Sequence, residues 1–176
     1  MFCDADDILH NIGILDLMLS IIQEQNLDLI TTHWLEEVFN PNTKKMVYLD
    51  KDFELAQLHG KIFKHDFLIK NNIQFHPDLR YHEDSYFMSI FAANNPLIKY
   101  LNITSYVWKF NTNSITRKNH GSFKFLDSEE FIKSHSLIFK YLKEQNHPIL
   151  NIKLIRFIIY IYFLLHSKGW ETLSSL

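Results

Sequence analysis

Two acidic clusters stand far apart in this chain of 176 residues: Asp4-Ala5-Asp6-Asp7 at its start, and Glu83-Asp84 about eighty residues later. Metal-assisted group transfer needs such a division of labour. One set of carboxylates holds a divalent cation that neutralises an anionic leaving group, and another carboxylate takes the proton of the attacking hydroxyl. For both clusters to serve one reaction, the fold must bring the turn around Ala5 and the carboxylate before Ser85 to one pocket.

Composition bounds the rest. The chain suits one domain. Apolar residues at 47% and 15 phenylalanines suffice for a packed core, so disorder is excluded. The net charge of −2, with Lys and Arg scattered, leaves no electrostatic footprint for nucleic acid. Cys3 is the only cysteine, so no internal disulfide forms. Asp4, Asp6 and Asp7 stand where the basic region of a signal peptide would be. The longest apolar run, Phe157–Leu165, is far short of the ~20 residues of a spanning helix. A cytoplasmic protein is expected.

Met1-Phe2-Cys3 reads as the stub of a strand ending in the acidic turn. Ile8, Ile12, Leu15, Leu19 and Ile22 predict a helix from Ile8, with Asp6 or Asp7 as its cap. Leu27–Trp34 and Met46–Leu49 read as strands joined through a turn at Asn40-Pro41-Asn42-Thr43, and 52–58 as a short helix or strand. Lys61–Lys70 reads as a helix ending at Asn71-Asn72, where one Asn takes the left-handed conformation. Ile73–Phe75 is a short extended piece, and Glu83 to Asn94 a helix halted by Asn94-Asn95-Pro96. Ile98–Phe110 alternates as strand, Asn111–Ser122 is a polar loop, and helices follow from Asp127 to about Gln145 and from Leu150 to about His166. A strand remains an alternative for the last, given its β-branched and aromatic content.

Four blocks together resemble inverting glycosyltransferases of family 2. Phe2-Cys3-Asp4-Ala5-Asp6-Asp7 is similar to the DxD motif at a strand end. Leu58-His59-Gly60-Lys61-Ile62-Phe63, with Phe67-Leu68 and Asn71-Asn72-Ile73-Gln74-Phe75, resembles the stretch between the DxD and the base. His82-Glu83-Asp84-Ser85-Tyr86-Phe87 resembles the block carrying the general base, and Trp108 through Asn113-Ser114-Ile115-Thr116-Arg117 the strand and loop after it. The blocks cover roughly residues 1–120, and their order is more specific than any one motif. The resemblance implies an α/β fold: a partial three-layer GT-A fold lacking the N-terminal strands, with a helical tail. Residues 1–122 would be the catalytic, acceptor-side part and 123–176 a helical extension. In this family the half before the DxD supplies the first strands and most contacts to the nucleotide base; the resemblance implies that residues 1–176 would lack that half. A longer gene product, a second chain supplying it, or a decayed remnant would each account for this.

The resemblance implies roles for individual residues, beside plainer readings. Asp4 and Asp6 would hold Mg²⁺ or Mn²⁺ at the donor diphosphate; alone, the cluster equally suits a helix N-terminus. Asp84 would be the general base with Glu83 orienting the acceptor; alone, the pair is a charged helix start. His120 would reach the metal, or be a solvated loop histidine. Arg117 or Lys118 would neutralise the diphosphate, or serve solubility. Lys61 would pack or pair near the site, His59 and His82 are ordinary loop or partly buried histidines, and Trp34, Tyr106 and Trp108 read as core. The partners implied are a nucleotide-sugar donor and a glycan, lipid-linked or protein acceptor. A peripheral contact at the inner face of a membrane through Lys153, Arg156 and Lys168 is a further option. The function implied is metal-dependent sugar transfer to a hydroxyl with inversion. The rivals are a catalytically inactive binding or assembly module that keeps the fold, and a small structural subunit.

Overall fold

The computed structural model describes the backbone of residues 1–112 and 120–173, and the side chains of these residues outside 120–128 and 163–173. The elements are β1 (Ile8–Leu9), α1 (Ile12–Glu24), β2 (Leu29–Asn40), β3 (Lys45–Lys51), β4 (Lys61–Phe63), α2 (His65–Lys70), α3 (Glu83–Ala93), β5 (Ile98–Trp108), α4 (His120–Glu144) and α5 (Leu150–Leu173).

The long strand β2 organises the sheet. β5 runs parallel along one edge, with β1 antiparallel beyond it. On the other edge β4 pairs with Leu29–Thr31 and β3 with Trp34–Asn40, both antiparallel. Leu29 and Ile30 are both fully buried because both faces of the sheet are covered. Ile30 and Ile62 face Met18 and Ile22 of α1. Leu29 and Phe63 face Phe87, Met88, Ile90 and Phe91 of α3. The result is three layers, helix on sheet on helix. α4 packs on α3 with Ile138 and Leu142 buried, and Asn94 Nδ2 donates to the Tyr141 hydroxyl at 2.9 Å. α5 follows α4, and its Lys153 reaches Ser89 of α3 at 3.0 Å. Among the described residues no helix is long and apolar enough to cross a membrane.

The differences from the sequence reading have physical causes. Met1–Cys3 is not a strand; Phe2 instead packs edge-on or tilted against Phe63, Phe75 and Phe87. Ile8–Leu9 pairs with Tyr106–Val107, so α1 starts later, and its cap is Asn11, whose Oδ1 accepts from Gly13 N at 2.8 Å. Asp7 cannot cap α1, since its carboxylate is engaged elsewhere. Lys61–Phe63 is a strand because the free edge of β2 offers pairing partners that outweigh local helical preference. Residues 52–58 form neither helix nor strand, and the polar loop ends earlier than expected because α4 begins at His120. The turn at residues 40–43 and the Asn72 cap form as expected. Asn40 Oδ1 accepts from Asn42 N and Thr43 N, while Asn72 has φ +50° and Ile73 N closes on Leu68 O at 2.9 Å.

Candidate active site

Asp84 lies in the first turn of α3, which the chain enters through His82 in a left-handed conformation (φ +60°). α4 steadies this entry: Ser134 Oγ donates to His82 O at 3.3 Å, and Glu130 accepts from Arg80 N at 3.0 Å. The Asp84 carboxylate is half-buried and accepts from the backbone N–H of Leu58. Burial, then the charges of Glu83 and Asp4, push its pKa up to about 7, against the pull of Leu58 N–H and Lys61. Asp4 is therefore near enough to disfavour the charge on Asp84, although eighty residues separate them in sequence.

Lys61 faces the same space. Side chains alternate along β4, so Lys61 shares the face of Phe63, which packs on Phe87 and Phe91 of α3. Lys61 is fully buried, its ammonium donating to His59 O at 3.3 Å. Burial brings its pKa down to about 8, opposed by the charges of Glu54 and Asp84. The His59 ring lies among Trp34, Tyr106 and Trp108, and burial followed by the Lys61 charge lowers it to about 4. The imidazole is thus neutral at neutral pH.

Between them sits Gly60 at φ +65°, with its carbonyl accepting from Thr32 N and Thr32 Oγ1, both at 3.0 Å. A Cβ there would lie 2.6 Å from Thr32 Oγ1, so only glycine fits.

The acidic turn has no helix or strand of its own. Asp7 N donates to Asp4 O at 3.1 Å, closing the turn. Asp4 and Asp6 are exposed, whereas Asp7 is buried. The Asp7 carboxylate accepts from the Tyr106 hydroxyl at 2.6 Å and from Lys109 N at 2.8 Å. The Tyr106 oxygen in turn accepts from Asp4 N at 3.3 Å, and Asn111 Nδ2 donates to Asp6 at 2.6 Å. Burial raises Asp7 above the usual carboxylate range despite these bonds. The exit of β5 is itself fixed by buried Glu37, which accepts from the Lys109 ammonium, from Phe110 N at 3.0 Å and from Tyr48 at 2.9 Å. Burial opposes ionisation of Glu37, yet these donors hold it below its ordinary value.

Asp4, Glu83 and Asp84 are thus brought into one electrostatic neighbourhood, with Asp6 on the same turn as Asp4. Arg117 and Lys118 lie outside the described residues, and His120 opens α4 with its side chain outside them. Asp4 and Asp6 would be the carboxylates available to a divalent cation, and among the described residues no three His, Cys, Asp or Glu side chains form a group able to hold one.

The sequence predicts Tyr106 as core, and it is 1% exposed; it does not predict the bonds of Tyr106 to the acidic turn or the orientation of Lys61. The missing signal was the strand at β4: with Lys61–Phe63 read as helix, nothing placed the lysine on the α3 face. An open groove of about 510 Å³, lined by Asp78, Arg80, Tyr81, Glu129 and Lys133 among others, runs between the segment before Glu83 and α4.

No family model matches the chain, and no curated protein matches it significantly. Solved structures do. The chain superposes on S. aureus TarS 1-349 with a TM-score of 0.57 at 20% identity, covering 87% of this chain and 42% of that one. The same TarS segment in complex with UDP gives 0.56 at 19% identity, covering 87% and 43%. S. aureus TarS gives 0.55 at 16%, covering 87% and 26%. The likeness shows the fold: a mixed α/β sheet with helices, a partial GT-A-like glycosyltransferase architecture. The chain spans less than half the length of these structures.

Proposed function

We propose that this chain is the acceptor-side part of a glycosyltransferase that moves a sugar from a nucleotide-sugar to an acceptor hydroxyl. The observation that carries the reading is the meeting of Asp84, fully buried Lys61 and the Asp4 turn in one neighbourhood of a glycosyltransferase-like fold. The UDP held by one of the TarS structures supports a uridine-diphosphate sugar as donor.

In this reading Asp84 accepts the proton of the acceptor hydroxyl as its oxygen attacks the anomeric carbon from the face opposite the diphosphate, inverting that centre. A carboxylate of pKa about 7 suits the task, being ionised in a useful fraction at neutral pH yet basic enough to take the proton. Lys61 favours the ionised form of Asp84, and Glu83 orients the incoming hydroxyl. Asp4 and Asp6 would hold Mg²⁺ or Mn²⁺, which would supply positive charge to the departing diphosphate. The acceptor is a glycan, a lipid-linked sugar or a protein.

UDP release from a panel of UDP-sugars, with and without Mn²⁺, tests this. Mn²⁺-dependent release, reduced about a hundredfold to ten-thousandfold in Asp84→Asn, is the expected result. UDP binding with no turnover in any condition would instead make the chain a binding or assembly module.

A further inference from the structure

α5 has two apolar sides, and α4 covers one of them. Phe157 stacks on Phe131 and His135, with ring centroids 5.8 and 4.9 Å away, and meets Phe139 edge-on at 5.3 Å. Ile152, Ile155 and Ile159 recur at spacings of three and four, which keeps them together along one side of the helix. At about 100° per residue that side lies roughly opposite Phe157, away from α4. We propose that this outer face of α5 pairs with the same face of a second copy of the chain, giving a two-fold dimer. The pairing is independent of the proposed sugar transfer.

Area, charge and spacing carry the pairing. Ile152, Ile155, Ile158 and Ile159 are 53%, 57%, 58% and 49% exposed, flanked by Leu154 and Tyr160 at 40% and 48%. Together they present about 600 Å² of apolar surface, at the upper end of what a monomer leaves in water. A standard-size homodimer interface takes ~800 Å² from each partner, about two-thirds of it apolar, so this patch supplies what one needs. A two-fold contact sets each residue against its own kind, and an uncharged isoleucine stripe meets its copy without repulsion. The three-and-four spacing is also that of a helix–helix seam, in which each apolar side chain inserts among four of the facing helix. A membrane surface fits the face less well. Helices lying on lipid turn Lys and Arg to water opposite their apolar side. Here the opposite side is packed on α4, and Lys153 is half-buried and donates to Ser89 of α3 at 3.0 Å. Among the described residues that leaves Arg156 as the charged side chain of α5 beside the stripe.

The test is sedimentation equilibrium of the full chain across about 1–100 μM. The expected mass is twice the 21.1 kDa of one chain. Ile155→Glu combined with Ile159→Glu, which sets charges into the seam, should weaken association at least about a hundredfold and leave a monomer. Both sites are exposed in the single chain, so the variant should keep its far-ultraviolet circular dichroism and urea midpoint. If it fails to fold, Ile155→Ser alone serves instead and should weaken association about tenfold. Leu17→Glu, at a 48% exposed leucine of α1, should leave the dimer intact. A wild-type chain that stays monomeric across the range overturns the proposal, as does an undiminished dimer in the folded α5 variants. A monomer that co-floats with phosphatidylcholine–phosphatidylserine vesicles overturns it in favour of a lipid surface on the same face.

Discussion

The two carboxylate-bearing segments are built in opposite ways. Glu83 and Asp84 ride on α3, whose inner side drives Phe87, Met88, Ile90 and Phe91 into the core against Leu29 and Phe63. Asp4 and Asp6 ride on an irregular turn held by hydrogen bonds from Tyr106, Lys109 and Asn111, side chains and backbone about a hundred residues downstream. One pair of carboxylates is placed by apolar packing, the other pair by polar ties. Packing tolerates small losses in any single contact, whereas a polar tie fails when one atom goes.

Substitutions separate the two modes. Phe87→Ala should cost about 3–5 kcal/mol in urea unfolding, since it empties the packed side of α3. A cost under about 1 kcal/mol would mean that something other than packing holds Asp84. Gly60→Ala comes next, at about 2 kcal/mol or more: the left-handed backbone disfavours a side chain, and the new methyl meets Thr32 Oγ1. Because Gly60 lies between His59 and Lys61, fluorescence of the neighbouring Trp34 should shift in the same variant; an unchanged spectrum would deny that the glycine shapes this neighbourhood.

Titration gives a smaller effect. Asp84 ionises near its ordinary value of 3.8 when unfolded but at about 7 when folded, so the folded state binds more protons between those values. Stability should therefore fall as pH rises from about 4 to 7, by roughly 1–2 kcal/mol after solvent screening, and Asp84→Asn should flatten that slope. Lys61 works in the other direction at higher pH: its folded pKa of about 8 lies below its ordinary value of 10.5, so its burial penalty eases as pH rises through that window. Smallest is Asn11→Ala, about 1 kcal/mol or less in thermal unfolding, because a single cap on α1 is lost. A larger cost would show that the start of α1 steadies the acidic turn too.

The helix bearing Asp84 was legible in the sequence because its signals are local: apolar spacing at Phe87, Ile90 and Phe91, and the stop at Asn94-Asn95-Pro96. The β2–β3 turn and the Asn72 cap were legible for the same reason. The surroundings of the acidic turn were not. An aspartate before an apolar run reads as a cap, and only the fold reveals that Tyr106 claims Asp7 and leaves Asn11 to cap α1. Lys61 was obscured by secondary structure itself, since Lys-Ile-Phe becomes a strand only when the edge of β2 is present to pair with it.

The ladder between β2 and β5 slips twice, so that Thr32 pairs with Leu101, His33 with Thr104 and Trp34 with Tyr106. β5 thus carries surplus residues at the level of the site, and they determine which way Tyr106 looks. Because a strand shows alternate residues to alternate sides, shortening β5 by one residue at exposed Asn102 would turn the phenol away from its aspartate partner while leaving Ile98–Leu101 in place. The spacing of this strand, as much as its composition, is what a working relative must preserve.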